Sequence, residues 1–255
     1  MARLLRRVPI GILPLLALLA AWELAARAGI YSAALFPSPM EVWSVFTDEG
    51  PLLLRHTLAS LTRVVVGVSL AFVTAVPLGL LIGRYRTLER LLDGTVQIFR
   101  CFPAIALIPL AILFFGIGEK PAIMLIWFAA FWPLLISTIF GVKSVERTLL
   151  SVAQVARASD RLVLLDILLP NALPSIITGL RLAAGTGWLT VVTAEMMAVR
   201  SGLGYMILYA QQIFRPDEIV AGIIIIGVVG LAFDQLIRVA RDRLCRWQEG
   251  LVAAP

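Results

Sequence analysis

The stretch 151-SVAQVARASDRLVLLDILLPNALP-174 decides how this chain is read. It is polar enough to lie outside a membrane, yet strongly apolar sequence stands on both sides of it. Val142, Val145, Leu149, Val152 and Val155 recur at helical spacing. Ser159 and Asp160 then open a second helix, Ser159 as N-cap and Asp160 in the first turn, where the helix dipole favours an anion. Leu162, Leu165, Ile167, Leu168 and Leu169 follow, until Pro170 and Pro174 are expected to stop it. The insert 141–175 thus reads as two short helices joined by a turn at 157–159. A short amphipathic helix presented at a membrane surface is a shape that docks into a groove on a partner. Folding back on the inner face of its own bundle is the alternative the same pattern allows.

The flanking sequence is membrane-spanning in character. Of 255 residues, 60% are hydrophobic, against roughly 45–50% in soluble domains, and mean hydropathy is +0.94. A helix crosses the hydrocarbon in about 20 mostly apolar residues. Six segments are candidates: 8–26, 64–82, 104–117, 122–140, 176–199 and 219–237. The expected fold is therefore an all-α membrane protein, a six-helix transmembrane bundle. The third segment is short and carries Pro109, with Pro103 just ahead, so it reaches back to Gln97 or tilts and kinks. The basic N-terminus and Ala26-Arg27-Ala28 imitate a signal peptide, but the apolar run 8–24 exceeds the roughly 7–15 residues of such a region. A retained first span is expected.

Net charge is +6. In a chain this apolar, that fits cytoplasmic loops enriched in Lys and Arg and excludes nucleic acid as the partner. With the N-terminus inside, fifteen Lys and Arg fall on the inner side. The outer side keeps Arg27, Arg55, Arg63, Lys120, Arg200 and Arg215, and Arg181 lies within a span. Both termini are then cytoplasmic. The chain divides into an N-terminal span with an outer segment (1–63), a core with the cytoplasmic insert (64–243), and a tail (244–255). In the outer segment, Ser38 or Pro39 opens a helix over 40–47 with Val42, Trp43, Val45 and Phe46 on its apolar side.

Enzymatic chemistry has no visible seat. Cys101, Cys245 and the single His56 make neither a disulfide framework nor a zinc cluster. No G-x-x-x-x-G-K-[ST] loop is present, and Gly116-Ile117-Gly118-Glu119-Lys120 has the wrong spacing. No nucleophile–base pair stands out, so no catalytic residue, metal ligand or cofactor is assigned to this chain.

Charges inside spans are costly and point to function. Glu23, Arg181, Glu195 and Asp234 are the four. Arg181 lies about 9 Å into the fifth span, and Asp234 at similar depth in the sixth. They are expected to be neighbours, either as a structural pair or with Arg181 in an anion path, where a guanidinium matches oxyanion geometry. Glu195, near the outer end and Arg200, is a gate, a contact for an outside partner, or a snorkelling carboxylate. Arg181, Glu195 and Asp234 are the translocation-path candidates. Gly67, Ala71 and Ala75, and Gly179, Ala183 and Gly187, are small-residue ladders that let helices approach closely.

Several motifs together resemble a known family. Its "EAA" loop runs E-A-A, three residues, G, nine residues, then I-x-L-P. Ile167-Leu168-Leu169-Pro170 fits the end, and counting back places Arg157 at the glycine and Ser151-Val152-Ala153 at the E-A-A. Ala153 matches; the Glu and Gly do not. Pro77-Leu78-Gly79, Arg100-Cys101-Phe102-Pro103, Thr178-Gly179-Leu180-Arg181, Gly187-Trp188 and Ala194-Glu195-Met196 occur in the same order as in that family. The chain resembles the permease subunits of ATP-binding-cassette importers, in the nitrate/sulfonate/taurine branch. The resemblance implies a bacterial inner-membrane protein. Two permease chains, expected to be identical, would bind two cytoplasmic ATPase chains that carry ATP and Mg, with an external solute-binding protein. It makes Ser151, Val152, Ala153, Ala156, Arg157, Ala158, Ser159 and Asp160 the ATPase-coupling residues. Lacking the glycine, Arg157 is expected to turn another way, with help from 158–160. A secondary transporter driven by an ion gradient and a membrane-embedded enzyme are the competing readings.

Overall fold

The computed structural model describes residues 13–28 and 36–245. Arg3, Arg6 and Arg7, the start of the expected first span and the tail from Arg246 lie outside the described residues. Among the described residues there are helices and no strands. α1 is Leu13–Arg27, α2 Pro39–Asp48, α3 Gly50–Arg84, α4 Arg86–Arg100, α5 Ile108–Phe115 and α6 Glu119–Lys143. α7 is Arg147–Val155, α8 Asp160–Leu162, α9 Leu169–Ala198, α10 Leu203–Gln212 and α11 Pro216–Leu244. α8, a π-helical turn at Val163–Leu168 and α9 form one continuous helix of 39 residues.

Four of these helices are long and apolar enough to cross a membrane: α3, α6, the continuous α8–α9 rod and α11. The third expected span does not reach back to Gln97 as one straight helix: α4 and the segment Ala104–Phe115 meet at a bend of 86°. Pro103 causes the break, because it disfavours the helical conformation at Phe102 and brings no N–H to the ladder. α3 also starts at Gly50, well before the expected 64, so the division at Arg63 falls within a helix. At 35 residues α3 is about 52 Å long, so some 20 Å lies beyond a 30 Å hydrocarbon core. Hydropathy finds the part in lipid and is silent about the helix that continues past it.

The expected outer helix is present as α2. Ser38 Oγ accepts from the Glu41 N–H at 3.3 Å and the Glu41 carboxylate accepts from the Ser38 N–H at 2.6 Å, a reciprocal cap. Val42 and Val45 are buried while Trp43 faces outward.

α6 is the central helix, apolar all round, with α3 on one side and α9 on the other. The two small-residue ladders are the surfaces it packs against. A Cβ added at Gly67 would lie 2.6 Å from Ile126 Cγ2, and one at Gly179 would lie 2.6 Å from Ser137 Cβ. Either approach closes only with glycine there, which is how helices adhere in lipid, where no hydrophobic drive pulls them together.

Candidate functional site

Three groups of residues carry chemistry, one at each end of the bundle and one between them. The first is the insert. α7 is followed by a sharp turn and then by Ser159, whose Oγ accepts from the Leu162 N–H to cap α8. The turn corrects one expectation. Arg157 itself takes the left-handed conformation, at φ +49°, where a glycine would be at ease. An L-residue there costs on the order of 1–2 kcal/mol. The Ala158 N–H donating to Ala153 O at 2.9 Å closes the turn around it. Asp160 then pairs with Arg84 at the C-terminal end of α3, 3.2 Å away. Ala153 is buried, whereas Val152 is 62% and Val155 87% exposed. The insert therefore anchors one face and leaves an apolar edge uncovered.

Pro170 and Pro174 do not stop the second helix, contrary to expectation. Pro170 sits just past the end of the π-helical turn, with Leu169 between. A wider turn moves the preceding carbonyls off the line the proline ring would strike. The Asn171 amide donates to Ile167 O at 2.7 Å, so that carbonyl keeps a partner. The second helix of the insert and the fifth span are thus one rod, which α7 joins through the turn at 156–159.

The second group is inside that rod's membrane half. Arg181 and Asp234 meet in a bidentate pair, through Nε to Oδ1 and through Nη2 to Oδ2 at 2.8 Å, and Arg238 approaches Oδ2 at 3.3 Å. The pair is not sealed inside the single chain: the side chains are 43% and 30% exposed. Glu23, the remaining expected charge, pairs with Arg27 at 2.6 Å.

The third group surrounds Glu195, which neither snorkels nor meets Arg200. Its carboxylate is 0% exposed. It accepts from Arg63 Nη1 at 2.6 Å, from Ser60 Oγ at 2.9 Å and from the Gly204 N–H at 2.9 Å. Arg63, 3% exposed, also grips the Glu119 carboxylate bidentately at 2.6 Å and Ser201 through its carbonyl and hydroxyl. His56 Nδ1 accepts from the Gly202 N–H at 3.0 Å. One guanidinium thereby joins α3, the start of α6, the end of α9 and the loop into α10. Such a charge is tolerable in a buried site only because every lone pair and proton is matched.

Sequence reasoning missed Ser60, Arg63, Glu119, Ser201 and Gly202. Arg63 stands just before the apolar run 64–82, so hydropathy leaves it outside the helix that α3 forms from Gly50 onward. The readable signal was Ser201-Gly202-Leu203-Gly204, two glycines closing on a buried carboxylate. Gly202 has φ +104°, and a Cβ there would fall 2.2 Å from the Glu195 carboxylate. Gly202→Ala is expected to cost about 3 kcal/mol or more, from backbone strain plus overlap. Thermal unfolding of the purified chain in detergent checks this, and an unchanged midpoint would contradict the close fit.

A neighbouring cluster locks the α10–α11 turn. Arg215 contacts Glu49 at 2.6 Å, Asp217 at 2.8 Å and Glu218. Its hydrogen bond to Asp217, reinforced by Glu49 and Glu218, pushes the guanidinium further above the ordinary arginine value.

Comparison with known proteins bears on the same region. The model of a family described as binding-protein-dependent transport system inner membrane component matches residues 75–246. The taurine transport system permease protein of Escherichia coli is 36% identical over 249 residues, covering 95% of this chain and 90% of that one. The bicarbonate transport system permease protein of Synechococcus elongatus is 35% identical over 237 residues, covering 88% and 84%. Among solved structures, an inward-facing form of the MetNI methionine ABC transporter superposes with a TM-score of 0.61 at 21% identity, over 74% of this chain and 95% of that one.

Proposed function

Because the chain belongs to the family of binding-protein-dependent transport system inner membrane components, the permeases of ABC transporters, we propose that it lines the path of a small anion or organic solute across the bacterial inner membrane. Nitrate, a sulfonate and taurine are the solutes in view. Family membership sets aside the ion-gradient transporter and the membrane-embedded enzyme, and places ATP hydrolysis on a separate subunit. An external solute-binding protein delivers the solute, and ATP and Mg belong to the partner ATPase.

The observation that carries this reading is the rod. Val152 and Val155 stand uncovered on α7, just ahead of the tight turn that leads into the rod, and Arg181 sits within the rod itself. A groove on the ATPase fits the uncovered edge, and a push delivered there reaches the membrane half through that one turn, which the Ala158 N–H to Ala153 O bond closes and the Arg84–Asp160 pair braces. Ser151, Val152, Ala156, Arg157, Ala158, Ser159 and Asp160 form this contact, with Ala153 buried behind it. The Arg181–Asp234 pair supports a second copy of the chain. Charges at membrane depth face protein or a water-filled cavity, and here a single chain leaves them open at its side. We therefore assign a homodimer with two ATPase chains, both termini cytoplasmic, and Arg181, Glu195 and Asp234 along or beside the path.

Co-purification tests the core of this. From membranes co-expressing both chains, the tagged permease is expected to retain the ATPase, and Val155→Asp to lower the retained amount about tenfold, a charge in an apolar contact being costly. If the unaltered chain retains none, the docking role is wrong.

A further inference from the structure

We propose that the groove between α3 and α6, at their Glu119 end, is a binding site for an anionic phospholipid of that leaflet. Two cavities run into one another there. One, about 380 Å³, is bounded by Thr62, Arg63, Glu119 and Ser201. The other, about 560 Å³, is bounded by Leu70, Thr74, Phe115, Met124 and Trp127, with Lys120 on its rim. Val66 and Ile123 line both. From Thr62 to Thr74 the helix advances about 18 Å, so the groove is long, polar at the membrane surface and apolar below.

The lower part has no unmet polar group to offer. Trp127 Nε1 donates to Thr74 Oγ1 at 3.0 Å, and Thr74 Oγ1 donates to Leu70 O at 2.7 Å. A polar solute entering there would lose its water and gain nothing in return, whereas a hydrocarbon chain loses nothing. This separates the groove from a solute path. At the rim, Arg63 and Glu119 are engaged with each other, but Lys120 is exposed and makes no ion pair among the described residues. An uncommitted cation above a dry apolar slot matches a phosphate headgroup above its acyl chains. The inference rests on α3 and α6 crossing the membrane, and is independent of which solute is carried.

Trp127 reports on the slot directly. The full chain would be reconstituted in phosphatidylcholine vesicles containing increasing fractions of phosphatidylglycerol with brominated acyl chains, which quench indole emission on contact. The signal lost in Trp127→Phe isolates that residue. Its emission is expected to be half-quenched at a several-fold lower mole fraction of brominated phosphatidylglycerol than of brominated phosphatidylcholine. Lys120→Gln should weaken that preference about fivefold, and Lys120→Arg should keep it. Equal quenching by the two lipids would mean ordinary surrounding lipid only. No quenching would mean the groove is covered by a second chain. Either result overturns the proposal, and neither bears on ATPase docking.

Discussion

Arg63→Met is expected to lower the thermal midpoint of the purified chain by on the order of 10 °C, the equivalent of about 3–5 kcal/mol. The substitution removes the cation from Glu195, which is fully enclosed and has no route to water. Ser60 and the Gly204 N–H would remain as neutral donors, at 2.9 Å each. They do not cancel a charge. Glu119 would be less affected, because its side chain is 60% exposed and hydrates readily. The decisive measurement is the double variant Arg63→Met with Glu195→Gln. Glutamine is neutral and its amide oxygen still accepts from Gly204, so more than half of the lost stability should return. Simple addition of two losses would show that the sites do not interact.

Arg181→Met is expected to abolish solute uptake, at least about tenfold below the parent, while the ATPase is still retained. The substitution leaves Asp234 facing the membrane half of the structure with only Arg238, at 3.3 Å, nearby. Exchanging the pair, Arg181→Asp with Asp234→Arg, separates the two roles. If the pair only holds α9 to α11, the exchange restores uptake. If the guanidinium at 181 meets the passing anion, it does not. Uptake measured in vesicles with trapped ATP gives the answer, and normal transport by Arg181→Met would remove both roles at once.

Much of this was legible because lipid simplifies the code. Apolar runs marked the four helices among the described residues that are long enough to cross a membrane, small residues at four-residue spacing marked the surfaces against α6, and two charges at matching depth in adjacent spans found each other. Ser159-Asp160 marked a helix start that the cap confirms in detail. What failed to show were effects set by neighbours distant in sequence. Glu195 and Arg63 are 132 positions apart, and nothing local to either names the other. Pro170 reads as a stop until the wider turn before it is known. Arg157 reads as unable to replace glycine until its φ is seen, since the surrounding turn compels a conformation that its own side chain resists.

The wider turn at Val163–Leu168 has a consequence for how the two ends of the rod face. Each residue of a regular helix advances the azimuth by about 100°. An extra residue absorbed in one loop of the ladder therefore sets the compass bearing of Arg161 relative to Arg181 while adding little length. Between these points the chain is phase-locked: trimming a single residue would swing α7, with its uncovered Val152 and Val155, to another bearing like a mis-cut key, with both ends intact and properly folded.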